Sequence, residues 1–456
     1  MPSVPRRVAV IGGGVTGLSA AYELATKATD VVLFERSEVF GGKIAESSID
    51  GLNFPTGPDA FLARRHEVTA LVEDLGLSTS LVSPEAGSAR IFRNGQLHPL
   101  PPNVLGIPAT SELTTSGLIS AQGAERARNG VPDPADVQEA DESVGSLVRR
   151  QLGDEVLEFL VDPLLGGINA GDSDRLSIVS GVPRIDALRR RDPLLLDAAA
   201  QALEEAAQAA RDRGPRPVFR SIDGGLSRLV DALVETLRNS GRCELRAHTT
   251  ATIEPMGSKW LVCGEEFDGV VSTIPAYANA SLLSDVFPEA SKLLSQIEYS
   301  SVALTVMTLA PGTLPVDTAI SGVLVPRSIG LHVTAVSFAS HKWPALAVGG
   351  QQMLRVSTGR RTDDRWTHLD NDQLVLQIEH DLSAIFETEV KSSNSVVTRW
   401  RRSLPQYDVG HSELIANIDT ALAGASGLHL TGAWRDGLGL PACVGAGRRA
   451  ADVLKP

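Results

Sequence analysis

The spacing of apolar residues changes within the first few dozen positions of the chain. Residues 8–11 form an uninterrupted apolar run, which is typical of a strand buried in a parallel sheet. After a glycine-rich stretch, Leu18, Ala21 and Ala25 recur at the spacing of one helix face. A second apolar run follows at residues 31–34. The pattern therefore predicts a strand, a helix and a second strand within about 30 residues.

Farther along the chain, helical spacing gives way to strand-like alternation. Residues 143–210 have a mostly helical pattern, whereas between residues 300 and 308 Val302, Leu304 and Val306 recur at every second position, as in a strand. Residues 331–338 and 428–430 also have the composition of strands. We therefore predict an α/β fold in which a Rossmann-like unit is combined with a mixed-sheet unit and a helical insertion.

Length, composition and charge limit the classes of protein that fit the chain. Its 456 residues exceed one ordinary domain, and the 43% hydrophobic and 21% charged residues are an ordinary globular balance. The net charge of −13 repels nucleic acid, so no nucleic-acid partner is expected. No apolar stretch approaches the ~20 residues that a membrane-spanning helix needs.

The cysteines and histidines indicate neither a disulfide framework nor a metal centre. Cys243, Cys263 and Cys443 are odd in number and lack metal-type spacing, which is typical of a protein from a reducing compartment. The nine histidines never pair at metal spacing, so no metal site is expected. We therefore expect a cytoplasmic protein, and peripheral contact with a membrane stays open.

The first candidate binding motif lies in the predicted turn between the first strand and the helix. Gly12, Gly14 and Gly17 stand at the spacing of a dinucleotide fingerprint, with Gly13 as an additional glycine. Such glycines permit a tight turn, the approach of backbone amides to a pyrophosphate and close packing of helix on strand. Glu35 follows at the end of the second predicted strand, where a carboxylate hydrogen-bonds a ribose hydroxyl. This spacing weakens the alternative, a structural turn followed by a surface glutamate.

Two further glycine-rich segments favour FAD over other dinucleotides. Residues 40–43 read Phe-Gly-Gly-Lys and resemble the second phosphate-side loop of the FAD-dependent amine oxidase superfamily, with a glycine-rich hairpin as the alternative. Near the C-terminus, residues 430–444 combine a strand, a glycine-rich segment and a predicted helix start. Backbone amides and the positive end of that helix would suit a reduced, anionic flavin ring. We therefore predict FAD as the cofactor and expect both ends of the chain in one domain.

Four longer motifs resemble the protoporphyrinogen/coproporphyrinogen oxidase family, in particular its Gram-positive, oxygen-dependent branch. They lie at residues 57–64, 161–172, 219–226 and 400–411, so the resemblance runs nearly from end to end. The most specific signals are Asp-Pro-Leu-x-x-Gly-x-x-Ala-Gly-Asp in the second motif and Pro-Gln-Tyr-x-x-Gly-His in the fourth. The resemblance implies the fold of the flavin amine oxidases, with a Rossmann-like FAD-binding domain, a mixed-sheet substrate domain and a helical insertion.

The domains implied by this resemblance are discontinuous along the chain. We expect an FAD-binding domain formed by residues 1–90, 216–290 and 395–456, a substrate-binding domain formed by residues 91–110 and 291–394, and a mainly helical subdomain at residues 111–215.

The resemblance also implies cofactor contacts that are spread over the whole chain. They comprise Gly12, Gly13, Gly14, Val15, Thr16, Gly17, Glu35, Arg36, Gly42, Lys43, Gly57, Pro58, Asp59, Ala60, Ala251, Trp400, Leu438, Gly439 and Leu440. Ala251 stands where the family usually has valine, but the expected contact with adenine there is made mainly by the backbone. FAD binding is therefore expected despite this departure.

The resemblance defines substrate contacts and catalytic groups less well. Many relatives that act on protoporphyrinogen have arginine at the position of Asp59, where it could meet a propionate, so that role does not transfer. Arg64 and Arg65 are the replacement candidates, with exposed charges at a helix start as the alternative. Asn169 is a further substrate candidate, although a turn explains it equally well. His411 is better explained as a residue that pins a turn than as a base, so no catalytic residue is assigned.

The activity implied is the oxidation of coproporphyrinogen III to coproporphyrin III in haem biosynthesis. The resemblance implies that a hydride passes from a methylene bridge to the flavin, and that dioxygen then reoxidises the flavin and yields hydrogen peroxide. Protoporphyrinogen IX oxidation is the nearest alternative, followed by an amine oxidase and by a carrier that has lost flavin chemistry. The expected partners are a porphyrinogen and dioxygen, and docking of a haem-pathway enzyme stays open.

Overall fold

The computed structural model describes residues 6–85, 87–132, 140–214 and 216–454. Its β-strands are β1 (Arg7–Ile11), β2 (Asp30–Phe34), β3 (Glu46–Ile49), β4 (Leu52–Pro55), β5 (Phe61–Leu62), β6 (Leu81–Val82), β7 (Ser88–Arg93), β8 (Gln96–Pro99), β9 (Asn103–Val104), β10 (Ile107–Pro108), β11 (Phe219–Ile222), β12 (Cys243–Arg246), β13 (Ile253–Met256), β14 (Lys259–Val262), β15 (Glu265–Phe267), β16 (Gly269–Ser272), β17 (Tyr299–Leu309), β18 (Ile320–Leu324), β19 (Val333–Phe338), β20 (Gln352–Thr358), β21 (Asn394–Pro405) and β22 (Leu428–Leu430). Its α-helices are α1 (Val15–Thr26), α2 (His66–Asp74), α3 (Ala121–Arg128), α4 (Val144–Leu152), α5 (Asp154–Val156), α6 (Asp162–Asn169), α7 (Pro183–Arg191), α8 (Leu195–Arg213), α9 (Ser227–Asn239), α10 (Ala276–Leu283), α11 (Pro288–Leu294), α12 (Ala339–Lys342), α13 (Asn371–Phe386), α14 (His411–Ala421) and α15 (Leu440–Val453).

Five parallel strands form the sheet that carries the glycine turn. Their order is β12-β2-β1-β16-β22, so N-terminal, middle and C-terminal segments of the chain lie side by side. In β1, Val8 and Val10 pack on one face of the sheet, while Ala9 and Ile11 pack on the other. Both faces are therefore covered, which is the usual environment of an uninterrupted apolar strand. The predicted strand, helix and strand at the N-terminus are confirmed.

Helices cover one face of this sheet, and a small antiparallel sheet contributes to the other. Leu233 of α9 and Val444 of α15 share the first hydrophobic core with Leu18 of α1. Trp260 and Phe267, which belong to the sheet β13-β14-β15, lie in the second core. Helix α15 is thus held directly against α1, and the two helices begin at the same edge of the parallel sheet.

A seven-stranded mixed sheet forms a second unit. Its order is β21-β17-β20-β19-β18-β7-β8, and every pair is antiparallel except β18 with β7. Helix α13 packs on it through Leu374, Ile378 and Leu382, which recur at helix-face spacing. The predicted mixed sheet is confirmed. Strand β21 pairs in this sheet although it lies almost wholly in the segment 395–456 expected in the FAD-binding domain, and the division into domains stays a prediction.

Helices α3 to α8 have a hydrophobic core of their own, which includes Leu147, Val148 and Leu160. Arg189 is fully buried in this unit, and its guanidinium lies 2.8 Å from a carboxylate oxygen of Asp186. The predicted helical insertion is confirmed, while residues 133–139 within it lie outside the described residues. No helix in the described part of the chain is both long and apolar enough to cross a membrane.

Candidate cofactor and active site

The turn between β1 and α1 brings backbone amides to an open edge of the parallel sheet. Gly12 has a φ of +106°, and its N–H donates to the carbonyl oxygen of Phe34 at 2.8 Å, which ties the turn to β2. A Cβ at Gly17 would lie 1.8 Å from the carbonyl oxygen of Gly12, so the helix can approach the strand only with glycine there. A Cβ at Gly14 would meet no atom within 4 Å. The start of α1 therefore faces free space, as an anion-binding helix start requires.

Glu35 stands at the end of β2 beside this turn. One oxygen of its carboxylate accepts the N–H of Gly13 at 2.7 Å, and the other accepts the N–H of Ser37 at 2.8 Å. The carbonyl oxygen of Glu35 accepts the N–H of Thr249 at 2.8 Å. This hydrogen bond holds the segment that contains Ala251, two residues after Thr249, beside the end of β2. Arg36 is exposed. The carboxylate thus lies at the sheet edge where a ribose contact is expected.

The Phe-Gly-Gly-Lys loop lies directly against the glycine turn. The N–H of Gly41 donates to the carbonyl oxygen of Gly13 at 2.8 Å, and a Cβ at Gly42 would lie 3.2 Å from the Cα of Gly14. Lys43 is solvent-accessible, yet it is surrounded by protein atoms, and this burial lowers the pKa of its ammonium. It forms no ion pair with any described residue. Lys43 is therefore a cation in a concave site that lacks a counter-charge of its own.

The start of α15 completes this concave site. A Cβ at Gly447 would lie 2.2 Å from the carbonyl oxygen of Thr16, so glycine allows α15 to pack tightly on α1. The thiol of buried Cys443 donates to the carbonyl oxygen of Gly437 at 3.6 Å and is close enough to Lys43 for their charges to interact. Two helix starts and one lysine thus converge. Their partial and full positive charges suit the pyrophosphate and a flavin that gains negative charge on reduction. The site therefore fits FAD.

The turn that joins β4 to β5 packs against the Lys43 loop. A Cβ at Gly57 would lie 1.8 Å from the carbonyl oxygen of Lys43, and the indole N–H of Trp400 donates to the carbonyl oxygen of Thr56 at 2.6 Å. Asp59 in the same turn is held inside the protein by Lys342, whose ammonium lies 2.7 Å from its carboxylate. The turn lies at the border of the cleft, but the Asp59 side chain is already engaged by protein.

The two most specific sequence motifs meet each other and the C-terminal loop. The side-chain amide of Gln406 donates to the carbonyl oxygen of Asn169 at 3.1 Å, and both residues are buried. The hydroxyl of Tyr407 donates to the carbonyl oxygen of Ala433 at 2.6 Å and accepts the N–H of Gly437 at 2.8 Å. Tyr407 therefore connects the helical unit to the loop that leads into α15.

Comparison with known proteins decides the family. The model of the flavin-containing amine oxidoreductases matches residues 15–455. The chain belongs to this family. It is 31% identical to coproporphyrinogen III oxidase of Bacillus subtilis, over 98% of both chains, and 32% identical to that of Mycobacterium leprae, over 99% of this chain and 98% of the relative. A solved structure from Exiguobacterium, named as a candidate protoporphyrinogen oxidase, is 29% identical and superposes with a TM-score of 0.85 over 99% of each chain.

These likenesses confirm the resemblance on which the sequence interpretation depends. The fold of the flavin amine oxidases, the FAD cofactor and an oxidoreductase activity are confirmed by membership of the flavin-containing amine oxidoreductases. The individual cofactor and substrate residues stay predictions, supported by the convergence of residues 12–17, 42–43, 57–60 and 438–440 around one cleft.

Arg64 and Arg65, the predicted substrate residues, lie at the start of α2. Both are exposed, and Arg65 forms an ion pair with Glu67 in the first turn of the helix. Among the described residues, neither arginine forms a hydrogen bond or an ion pair with Asn169. The pairing of Arg65 favours the alternative of exposed charges at a helix start, and a substrate role for these arginines stays a prediction.

Three features of the candidate site are not predicted from the sequence. Lys342 and Arg355 engage Asp59 from the second sheet, and no local pattern marks a contact so distant along the chain. The sequence marks Tyr407 only as a member of the motif at residues 405–411. Ile168, 54% exposed at the end of α6, is an apolar side chain next to buried Asn169. In the sequence, Ile168 is marked only by its position inside the motif at residues 162–172.

Removal of the Tyr407 hydroxyl should loosen the loop that leads into α15. We expect Tyr407→Phe to lower the free energy of unfolding by ~1–3 kcal/mol, because the Gly437 N–H and the Ala433 carbonyl lose their partner. FAD should also bind more weakly. Chemical denaturation and FAD titration of the apoprotein measure both effects. Tyr277→Phe is the control, because the Tyr277 hydroxyl makes no hydrogen bond with a described residue. Equal changes in the free energy of unfolding and in FAD affinity for the two variants would contradict the proposed role of the Tyr407 hydroxyl in fixing the loop.

His411 has the surroundings of a structural ring rather than those of a base. It is 5% exposed, its ring is stacked on Tyr407 at 4.1 Å between centroids, and its Nε2 has no partner among the described residues. Burial lowers the pKa of the imidazole. The ring is therefore neutral at neutral pH, and its geometry favours the interpretation as a residue that pins a turn.

This burial predicts a specific pH dependence of stability. Since the pKa of His411 is lower in the folded chain than in the unfolded chain, the unfolded chain binds more protons once the pH falls below about 6.5. Wild-type stability should decrease by up to ~1.4 kcal/mol per pH unit through this group. We expect His411→Phe to lose less stability than the wild type between about pH 7.5 and 5, as measured by urea denaturation. The same loss in both proteins would show that the imidazole does not carry this dependence.

Proposed function

We propose that the protein oxidises coproporphyrinogen III to coproporphyrin III in haem biosynthesis, with dioxygen as acceptor and hydrogen peroxide as product. The observation that carries the proposal is the likeness over at least 98% of the chain to enzymes named coproporphyrinogen III oxidase. The aligned region contains the motifs at residues 161–172 and 400–411 as well as the residues of the cofactor cleft. A likeness confined to the cleft would support only a flavin enzyme of unstated substrate.

The residues of the cleft have roles that follow from their chemistry. The starts of α1 and α15, with Lys43, would hold the phosphates and the flavin, and Tyr407 would fix the loop that leads into α15. FAD, when bound, supplies an acceptor for a hydride from a saturated carbon. The chain therefore needs to position one methylene bridge of the porphyrinogen and to exclude water around it.

The apolar end of α6 suits the macrocycle of such a substrate. Ile168 presents an exposed aliphatic side chain, and a Cβ at neighbouring Gly167 would lie 3.3 Å from Leu324, so the glycine keeps the helix close to β18. Asn169 is buried and its carbonyl oxygen is bonded to Gln406. We propose that this end of α6 packs against one face of the non-planar porphyrinogen macrocycle. No described side chain is assigned as a base.

An anaerobic half-reaction tests the proposed chemistry. Purified protein with FAD is mixed with excess coproporphyrinogen III without oxygen, and the visible absorbance of oxidised flavin should fall as one electron pair reaches each flavin. Formation of coproporphyrin III removes three electron pairs from each porphyrinogen, so porphyrin fluorescence should appear only after air is admitted and the flavin completes further rounds. Air should then restore the flavin absorbance and yield one hydrogen peroxide per electron pair. A flavin that stays oxidised in the presence of excess porphyrinogen would contradict the proposal.

The remaining alternatives give different results in the same experiment. A protoporphyrinogen IX oxidase would bleach with that porphyrinogen in preference to coproporphyrinogen III. An amine oxidase would release hydrogen peroxide from amines and none from porphyrinogens. A carrier without flavin chemistry would be colourless after purification and would not be reconstituted by FAD.

A further inference from the structure

Asp59 is the centre of a charged cluster that joins the cofactor cleft to the seven-stranded sheet. One oxygen of its carboxylate lies 2.7 Å from the ammonium of Lys342, 2.9 Å from the guanidinium of Arg355 and 3.2 Å from the indole nitrogen of Trp343. Lys342 ends α12, Trp343 follows it, and Arg355 belongs to β20. We call these four residues the Asp59 cluster.

The Asp59 cluster contains more positive than negative charge. Burial alone would raise the pKa of Asp59, but the charges of Arg355 and Lys342 outweigh it and hold the pKa well below its usual range. Asp59 is therefore ionised, and it is the only described carboxylate that pairs with either cation. Two cations and one carboxylate leave one net positive charge.

This excess charge is poorly exposed to water. The side chains of Arg355, Asp59 and Lys342 are 9%, 16% and 18% exposed. The Nε of Arg355 is buried without a partner among the described residues, and its terminal nitrogen donates to the carbonyl oxygen of Gly57. An unbalanced charge in such surroundings is costly unless an anion accompanies it. Lys342 is the more accessible cation, so an incoming anion would reach it first.

The location of the cluster indicates which anion that is. Gly57, two residues before Asp59, packs on the backbone of Lys43 at the cofactor cleft. Lys342 and Arg355 contact Asp59 from α12 and β20, which lie in the segment expected to bind substrate. The cluster thus lies where that segment meets the turn that packs on the Lys43 loop. The phosphates of FAD, by contrast, would bind at the starts of α1 and α15 and at Lys43, so they do not need the Asp59 cluster.

We propose that Lys342 is a specificity-determining residue that binds a carboxylate of the substrate, while Asp59 and Trp343 hold its ammonium in place. This inference rests on the proposed function, because coproporphyrinogen III carries four propionates. Arg355 balances Asp59, so the charge offered to the substrate is that of Lys342. Binding involves no covalent step, and the carboxylate restores neutrality to the cluster.

Steady-state kinetics of the holoenzyme test the role of Lys342. Lys342→Met leaves the Asp59–Arg355 pair balanced, so the variant should fold and bind FAD. We expect its KM for coproporphyrinogen III to rise at least ~10-fold, with kcat within ~3-fold of the wild type. Lys342→Arg should recover most of the loss, because it restores the cation. Lys391→Met is the control, since Lys391 is exposed and unpaired among the described residues.

A substrate with esterified propionates separates the effect of the carboxylates on KM from the effect of the macrocycle. With the tetramethyl ester of coproporphyrinogen III, wild type and Lys342→Met should have the same KM, because no carboxylate remains to bind. An equal KM for the free acid in both proteins would overturn the proposal. So would a Lys342→Met variant whose FAD affinity or flavin midpoint potential shifts while KM does not, since that result would assign the charge to the cofactor.

The design separates this inference from the proposed function. If the wild type fails to oxidise coproporphyrinogen III, the proposed function fails. If the wild type oxidises it and Lys342→Met has an unchanged KM, the Lys342 inference alone fails. Binding of coproporphyrin III to the oxidised holoenzyme, measured by porphyrin fluorescence, gives a readout that does not depend on turnover. Lys342→Met should weaken this binding by a factor similar to the rise in KM.

Discussion

Gly17→Ala should abolish FAD binding and lower the free energy of unfolding by at least ~3 kcal/mol. The added Cβ would lie 1.8 Å from the carbonyl oxygen of Gly12 and 2.8 Å from the hydroxyl oxygen of Thr273. The first of these atoms is backbone in the turn itself, so the helix must move away from β1. That movement displaces the amides that face the cofactor cleft. FAD titration and chemical denaturation of the apoprotein measure the two effects.

Gly14→Ala is the matched control for this result. Gly14 has a φ of −72° with extended ψ, which alanine adopts without strain, and its Cβ would meet no atom within 4 Å. The apoprotein should therefore keep its stability within ~0.5 kcal/mol. FAD affinity should still fall at least ~10-fold, because the methyl group occupies the space through which a pyrophosphate approaches the backbone. Normal FAD binding by Gly17→Ala would contradict the geometry of this turn.

Asp59→Ala should lower the free energy of unfolding by ~3–5 kcal/mol, because it leaves two buried cations without their carboxylate. Chemical denaturation measures the loss. The control is Glu266→Ala, which removes an exposed carboxylate 3.5 Å from Lys259. An exposed pair of this kind contributes ~0–1 kcal/mol. Similar losses in the two variants would show that the Asp59 cluster is not an unbalanced buried site.

The contribution of Asp59 to the free energy of unfolding should also depend on pH. Its pKa is depressed in the folded protein, so the stabilisation is fully present above the ordinary pKa of about 3.9 and decreases as the pH falls below it. The difference in stability between wild type and Asp59→Ala should therefore stay constant from neutral pH down to about pH 5 and shrink in more acidic solution. A difference that grows with acid would contradict an ionised Asp59.

The sequence alone predicts the parts of the fold that depend on local pattern. Val8 and Val10 alternate with Ala9 and Ile11 toward the two faces of one strand, and glycines mark the turn that follows. Helix α1 likewise is predicted by Leu18, Ala21 and Ala25 at helix-face spacing. Each of these signals lies within one short window, where spacing reports directly on which side chains are buried.

The parts that escaped prediction depend on contacts between distant segments. Asp59 meets Lys342 and Arg355 only because the turn after β4 faces the seven-stranded sheet, and neither spacing nor composition encodes that approach. The pairing of β21 with β17 similarly follows from packing across units. Tyr407 lies in a recognisable motif, yet its bonds to Ala433 and Gly437 become visible only when the two segments lie side by side.

The most direct test of the central claim is the ratio of kcat/KM for coproporphyrinogen III to that for protoporphyrinogen IX, measured with the FAD-loaded wild type under air. Porphyrin fluorescence reports both reactions on the same scale. We predict a preference of at least ~10-fold for coproporphyrinogen III, equivalent to ~1.4 kcal/mol of transition-state binding. A preference for protoporphyrinogen IX, or turnover of neither substrate, would contradict the proposed function.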